Sequence, residues 1–353
     1  MKATPHFDFV GRRRTWIYVS GGLVLLSLLG LLIQGLNLSI DFEGGSSYLV
    51  EDVTRDITSQ QVRDEVEAAG AQDVTAQIRV DEGEPTGVLV RTAAIEPGSE
   101  TDQQVIAALA DVTGTTQEQV EISFVGPTWG ERISRKALEA LVVFLIVVVI
   151  YISLRLEFKM AIAAVIALVH DVFITVGIYS LVGFTVSPAT VIALLTILGY
   201  SLYDTVVVFD RVKENARGIG GAGRRTYGEM VNLSMNEVLW RSINTSLTSL
   251  LPVGALLFIG SQLLGAETLQ DLALALFIGM ALGAYSSLFV AGPFLAWWKE
   301  QEPEYERMKT KVQKRIEAGE EPEEQTVEDA TAAKAPITTD YVRGPGRKKR
   351  KKR

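Results

Sequence analysis

The sequence predicts an α-helical polytopic membrane protein with six transmembrane helices and one exported domain of ferredoxin-like βαββαβ order. Two observations carry that prediction. Hydrophobic residues make up 48% of the 353 positions and are clumped: Thr15 to Ile40, Val172 to Tyr203, Ser242 to Ala266 and Leu272 to Trp298 hold no charged side chain. Each run is long enough for a helix to cross the roughly 30 Å of hydrocarbon in a bilayer. Charge is segregated as well, because the formal net of −8 hides a polar region, residues 37 to 131, with 19 acidic and 4 basic residues. A soluble globular enzyme is excluded.

Six spans follow, at about 15–36, 137–156, 160–182, 188–209, 238–260 and 268–298. The first follows Arg12, Arg13 and Arg14 as the core of a signal peptide does. Its apolar run is too long, and no small-residue cleavage site precedes Asp41, so it reads as an uncleaved anchor. The second is the weakest, since Glu139 lies near its start. Lys2, Arg12 to Arg14, Arg155, Lys159, Arg211, Lys213, Arg217, Arg224 and Arg225 all fall on one side, whereas the short loops Gly183 to Ser187 and Ser261 to Glu267 carry no Lys or Arg. Positive charge stays inside, which places both termini in the cytoplasm. The expected division is a cytoplasmic N-terminus (1–14), the first helix (15–36), the exported domain (37–136), helices two to six (137–298) and a cytoplasmic tail (299–353).

Within the polar region the elements expected are a strand over Ser46–Val53, a helix opened by Thr58 and Gln61 at capping-box spacing, and a strand over Val74–Val80. A turn through Gly83, Pro85 and Gly87 leads to a strand over Val88–Arg91, a helix over Glu100–Val112 and a strand over Val120–Val125. That is the split βαβ arrangement, a packing and binding module. Beyond Trp297 and Trp298, an interfacial anchor, the tail turns acidic and loses apolar periodicity, which predicts disorder. Its final stretch from Arg343 has eight basic residues and no acid; it suits either a solvated topology-fixing tail or contact with a ribosome or anionic membrane lipids.

Familiar chemistries are absent. The chain has no Cys, and its two His are His6 and His170, which leaves no thiolate nucleophile and no Cys/His metal constellation. Gly218 to Gly223 lacks the lysine and strand of a phosphate-binding loop, so no nucleotide site is expected and the segment reads as a hinge.

The informative residues are charges within spans: His170 and Asp171 in the third, Asp204 in the fourth and Arg241 one turn into the fifth. A charge at the bilayer centre costs about 2.5–3.5 kcal/mol on insertion scales, so each needs a partner, a cavity or neutralisation, and function is the default reading. Asp204 and Arg241 differ by only about 3 Å in depth at 1.5 Å per residue, so they are expected to meet. A changing distance would then switch Asp204 between holding and releasing a proton. A static salt bridge, or an Arg241 that snorkels to the head groups, fits the same residues. His170 and Asp171, being adjacent, are expected on different helix faces, with His170 bonded to neighbouring helices. Gly177, Gly183, Gly199, Gly279, Gly283 and Gly292 permit close helix packing, and Pro252 and Pro293 are expected to bend the last two spans.

Three motifs resemble one family. They are Ile40-Asp41-Phe42-Glu43-Gly44-Gly45 after the first span, Ala167-Leu168-Val169-His170-Asp171 in the third, and Gly199-Tyr200-Ser201-Leu202-Tyr203-Asp204 running on to Asp210-Arg211 in the fourth. Together with Arg241-Ser242-Ile243-Asn244-Thr245-Ser246 in the fifth, they resemble the SecF family of the bacterial Sec protein-export machinery. The resemblance implies a six-span half of an RND-type pair with SecD, acting beside the SecYEG channel on a translocating unfolded polypeptide. It implies the proton motive force as energy source and no cofactor. Asp204 becomes the proton-carrying carboxylate, Arg241 its modulating partner, and His170 and Asp171 further proton-coupling candidates. Asp41, Gly44, Gly45, Gly199, Asp210 and Arg211 are motif positions. A proton-driven RND exporter of small molecules or lipids, and a non-transporting scaffold, are the rival functions.

Overall fold

The computed structural model describes residues 7–51, 53–81, 84–217, 225–260 and 267–317. The glycine-rich segment 218–223 and the basic C-terminal run lie outside the described residues, as do Lys2 and His6. The polar region is built from β2 (Gly45–Glu51), α3 (Ser59–Ala68), β3 (Thr75–Asp81), β4 (Glu84–Thr92), α4 (Glu100–Thr113) and β5 (Val120–Val125). The sheet order is β3-β4-β2-β5, every neighbouring pair antiparallel. Alternation decides which face is buried. Tyr48 pairs with Val90 and Val50 with Val88, and these stack on Val62 and Val66 of α3 and Val105 and Leu109 of α4, all of them buried. The capping box opens α3 as expected: Thr58 Oγ1 accepts from Gln61 N, and Thr58 N donates to Gln61 Oε1 at 3.0 Å.

The rest is helical: α1 (Arg13–Ile33), a short α2 (Ile40–Glu43), α5 (Pro127–Arg155), α6 (Phe158–Val182), α7 (Pro188–Arg217), α8 (Tyr227–Ala255), α9 (Glu267–Ser286), α10 (Gly292–Lys299) and α11 (Pro303–Glu317). Among the described residues five helices are long and apolar enough to cross a membrane. The span expected to be weakest, in α5, contains the most apolar window, with a mean hydropathy of 2.8, and Lys136 Nζ lies 2.7 Å from Glu139 Oε2. The helix missing from the five is α8, where Ser242, Asn244, Thr245, Ser246, Thr248 and Ser249 dilute the apolar run. Three of the hydroxyls are absorbed by the helix itself: Thr245, Ser246 and Thr248 donate to carbonyls four residues back.

Small residues allow close approach where two helices cross. A Cβ at Gly177 would fall 2.1 Å from Ser27 Cβ on α1, and one at Gly279 would fall 2.2 Å from Ile197 Cδ1 on α7. Gly283 against Ser201 and Gly292 against Met235 repeat the pattern. Gly183 does not pack; its φ of +81° caps the C-terminus of α6, a conformation that suits glycine. Gly199 is exposed with nothing near it. The two interior prolines sit beside π-helical turns, Leu256–Gly260 after Pro252 and Ser287–Ala291 before Pro293. A ring nitrogen without N–H interrupts the α ladder, and wider turns take up the slack.

Two features join the halves. β1 (Asn37–Leu38) pairs in parallel with β6 (Thr185–Val186), and Arg91 from β4 donates to Asn37 Oδ1 at 2.9 Å, Leu38 O at 3.0 Å and Thr185 Oγ1 at 3.1 Å. The tail departs from expectation. Residues 303–317 form α11 rather than disordered chain, because the Tyr305 ring packs at a tilt 4.5 Å from that of Tyr227 and Lys159 Nζ pairs with Glu302 at 2.9 Å.

Candidate functional site: carboxylates buried between helices

Asp204 lies midway along α7 and is 5% exposed. Its Oδ2 accepts a hydrogen bond from Ser242 Oγ of α8 at 2.6 Å. The expected pairing with Arg241 is not formed: Arg241 is exposed and its Nη2 donates to the Tyr203 hydroxyl at 3.1 Å. Helix geometry explains the difference. Consecutive residues are about 100° apart around a helix, so when Ser242 turns toward α7 and Asp204 toward α8, Arg241 and Tyr203 are both carried to the outer face. Equal depth held; azimuth did not.

Asp171 on α6 is fully buried. Its Oδ2 accepts from Ser201 Oγ of α7 at 2.6 Å and from Ser286 Oγ of α9 at 2.7 Å. Its Oδ1 lies 3.1 Å from His170 Nδ1. The expected division of roles is reversed: Asp171 bonds to the neighbouring helices, and His170, adjacent in sequence, bonds to Asp171. His170 Nε2 is buried without a partner among the described residues. Between the two carboxylates, Thr205 Oγ1 and Ser287 Oγ are 2.9 Å apart, and Ser287 Oγ also reaches Ser201 O at 3.4 Å.

The motif residues divide between structural joints and this centre. Asp41 Oδ2 accepts from Ser39 Oγ at 3.1 Å. Gly44 and Gly45 have φ of +77° and +137°, and a Cβ at Gly45 would lie 2.5 Å from Thr92 O. The pair turns the chain from α2 into the sheet, where only glycine fits. α5 rests on that turn, since Ser134 Oγ donates to Phe42 O at 3.2 Å. Asp210 and Arg155 approach to 3.4 Å. Arg211 Nε donates to Glu237, tying α7 to α8, and Nη1 donates to Glu214 of the same helix at 2.8 Å. Gly199 and Tyr203 share the bare outer face of α7. Ser242, beside Arg241, and Ser201, three residues before Asp204, stand in the sequence motifs without a role of their own, whereas Ser286 and Glu237 lie outside those motifs. Charge drew attention to the acids, and uncharged serines carried no comparable signal.

Buried carboxyl groups within a helical array that has, among the described residues, five helices long and apolar enough to cross a membrane define a helical membrane-type protein. A family model described as protein export membrane protein SecD/SecF, C-terminal, matches residues 104–301, and one for the SecD/SecF GG motif matches residues 30–51. The chain is 43% identical over 308 residues to a protein translocase subunit SecF of Streptomyces coelicolor, covering 87% of this chain and 80% of that one. It is 40% identical over 323 residues to the corresponding subunit of Mycobacterium tuberculosis, covering 90% and 72%. A crystal structure of SecDF, described as a translocon-associated membrane protein of Thermus thermophilus, matches with a TM-score of 0.73 and 33% identity, covering 84% of this chain and 39% of that one. The chain belongs to the SecF branch of the SecD/SecF protein-export family.

Proposed function

We propose that this chain is an accessory subunit of the bacterial Sec machinery that, with SecD, uses the proton motive force to promote late stages of protein translocation. The observation that carries the reading is the Asp204 carboxyl, enclosed among apolar helices with a neutral hydroxyl beside it. Ser242 serves either form of the acid, donating to a carboxylate or accepting from a carboxylic acid, so a proton can come and go without leaving the hydrogen bond unmade. Arg241, one residue away on α8, is the modulating charge. A rotation of α8 by about 100° would exchange Ser242 for Arg241 opposite Asp204. One charge crossing 100 mV supplies about 2.3 kcal/mol, enough to bias a two-state rearrangement.

In this reading α8 is the sixth membrane helix, spanning in spite of its hydroxyls because three of them bond along its own backbone. The βαββαβ module is a ferredoxin-like domain on the outer side of the inner membrane, and both termini are cytoplasmic. The partners are SecD, the SecYEG channel, the translocating polypeptide and membrane lipids, with the basic tail contacting the ribosome or anionic lipid; no nucleotide is used. The naming of the Thermus relative as SecDF supports SecD as the adjoining half. So does the bare face of α7 and α8, where Ile192, Tyr203, Trp240, Leu247 and Leu251 are each more than half exposed.

The test is export into inverted vesicles lacking this chain, with SecD and this chain restored singly and together. Gradient-dependent stimulation is expected only when both return and co-purify. Stimulation that persists without this chain overturns the reading. Topology is checked in the same vesicles by single cysteines at Ser99 and Arg225, introduced cleanly because the chain has none; Ser99 belongs to the vesicle lumen and Arg225 to the outside.

A further inference from the structure

Asp171 is the most enclosed acid of the array, and the function assigned to Asp204 makes no use of it. Three helices converge on its carboxyl. Ser201 and Ser286 both donate to Oδ2, while Oδ1 faces His170 Nδ1. The His170 side chain is 7% exposed, its ring stacks with Tyr285 at 6.3 Å, and the Tyr285 hydroxyl is held 3.0 Å from Ser20 Oγ of α1. The titratable groups facing the pair are therefore each other and Tyr285; the remaining partners are neutral hydroxyls.

We propose that His170 and Asp171 form a second proton-binding site, joined to the Asp204 site through the π-helical turn that follows Ser286. The inference extends the proton-driven reading above but stands on its own geometry. A carboxylate with both oxygens occupied by donors has its Nδ1 contact made by an imidazole N–H. When one proton is added, the same contact is kept with Asp171 O–H donating to Nδ1, and the hydrogen of the neutral imidazole moves to Nε2. Every hydrogen bond survives in both states. The pair changes net charge from −1 to 0 by taking up that one proton. The buried, unpartnered Nε2 is the atom through which the proton arrives or leaves.

The same distances identify the ligand. Hydroxyls 2.6 and 2.7 Å from Oδ2 are in direct hydrogen-bond contact, and the third partner is a nitrogen. A sodium ion needs a shell of oxygens, which this packing does not offer. The link to Asp204 runs through consecutive residues. Ser286 bonds Asp171, while Ser287, first residue of the π turn, bonds Thr205 next to Asp204. Ser201 and Asp204 are one turn apart on α7, about 4.5 Å along the axis. A shift of the π turn that moves one serine moves the other.

The test is infrared difference spectroscopy of the full chain with SecD in vesicles, following the carbonyl bands of protonated carboxyls as pH is varied. One band is expected to disappear in Asp204→Asn and a separate one in Asp171→Asn. The latter band is expected to shift in His170→Gln, in Ser286→Ala and, through the π turn, in Asp204→Asn. If Asp171→Asn does not assemble, the His170→Gln and Ser286→Ala shifts decide. A spectrum in which no titrating band survives Asp204→Asn overturns the second site, as does a surviving band indifferent to His170→Gln, or one removed by sodium at constant pH. A surviving band that Asp204→Asn does not shift overturns the link. A band lost in Asp171→Asn with none lost in Asp204→Asn upholds this site while removing Asp204 as the carrier.

Discussion

Ser242 Oγ donates to Asp204 Oδ2 at 2.6 Å, and this contact, rather than an ion pair with Arg241, is what α8 presents to the buried acid. Ser242→Ala removes that donor. Gradient-stimulated export is expected to fall roughly tenfold, the factor carried by about 1.4 kcal/mol of lost hydrogen bonding, with Ser242→Thr restoring most of it. Arg241→Lys is expected to retain more activity than Arg241→Ala, because charge persists although the planar fork is lost. Equal export rates for Ser242→Ala and the parent chain contradict the first expectation.

Arg91 fastens the sheet domain to the helices. Burial lowers its pKa, with Glu43 and Asp271 acting in the opposite sense, and the guanidinium stays charged. Arg91→Ala deletes donors to Asn37 Oδ1, Leu38 O and Thr185 Oγ1. Hydrogen exchange at Leu38 and Val186 is expected to quicken by about tenfold or more, in line with 1–3 kcal/mol for buried groups left unpaired. The α3 and α4 amides are expected to keep their protection.

Within the domain, Tyr48 donates to Asp102 Oδ1 at 2.8 Å. Burial first, and the Asp102 carboxylate second, push the Tyr48 phenol well above its ordinary pKa. A raised folded value means the stabilisation is fully present below the ordinary pKa near 10 and is lost as pH rises through the folded value. Urea denaturation followed in the domain is therefore expected to show weakening above about pH 10. Tyr48→Phe is expected to cost about 1–3 kcal/mol at neutral pH and to blunt the alkaline loss.

Lys299 Nζ pairs with Glu157 Oε2 at 2.5 Å and lies 5.8 and 5.5 Å from the Tyr227 and Tyr305 rings. Such cation–π contacts contribute about 0.5–2 kcal/mol each. Tyr305→Ala is expected to release α11, read as faster tryptic cleavage at Lys309 and Lys311. Unchanged cleavage contradicts the docking.

Much of the fold was legible because local rules and tertiary structure agree. Thr58 and Gln61 open α3, Glu100 begins α4, and Val120–Val125 is the last strand. The span over α1 was legible from an unbroken apolar run, and those over α6 and α7 from apolar stretches interrupted only at His170–Asp171 and at Asp204. What was not legible depended on rotation about helix axes. Depth along α7 and α8 follows from counting residues, whereas the direction in which Asp204 and Arg241 point depends on how the helices roll against each other. The tail helix was missed because its periodicity is short and charged, and its anchors, Tyr227 and Lys159, lie far away in sequence.

The central claim is that Asp204 cycles a proton, and Asp204→Asn tests it most directly, since it keeps size and hydrogen bonding while fixing a neutral group. The measurement is translocation into inverted vesicles with and without a proton gradient. Normal assembly with SecD, unchanged ATPase-driven export and loss of the gradient-dependent late stage are expected. Gradient-stimulated export equal to that of the parent chain would contradict the account and leave Asp204 a packing residue.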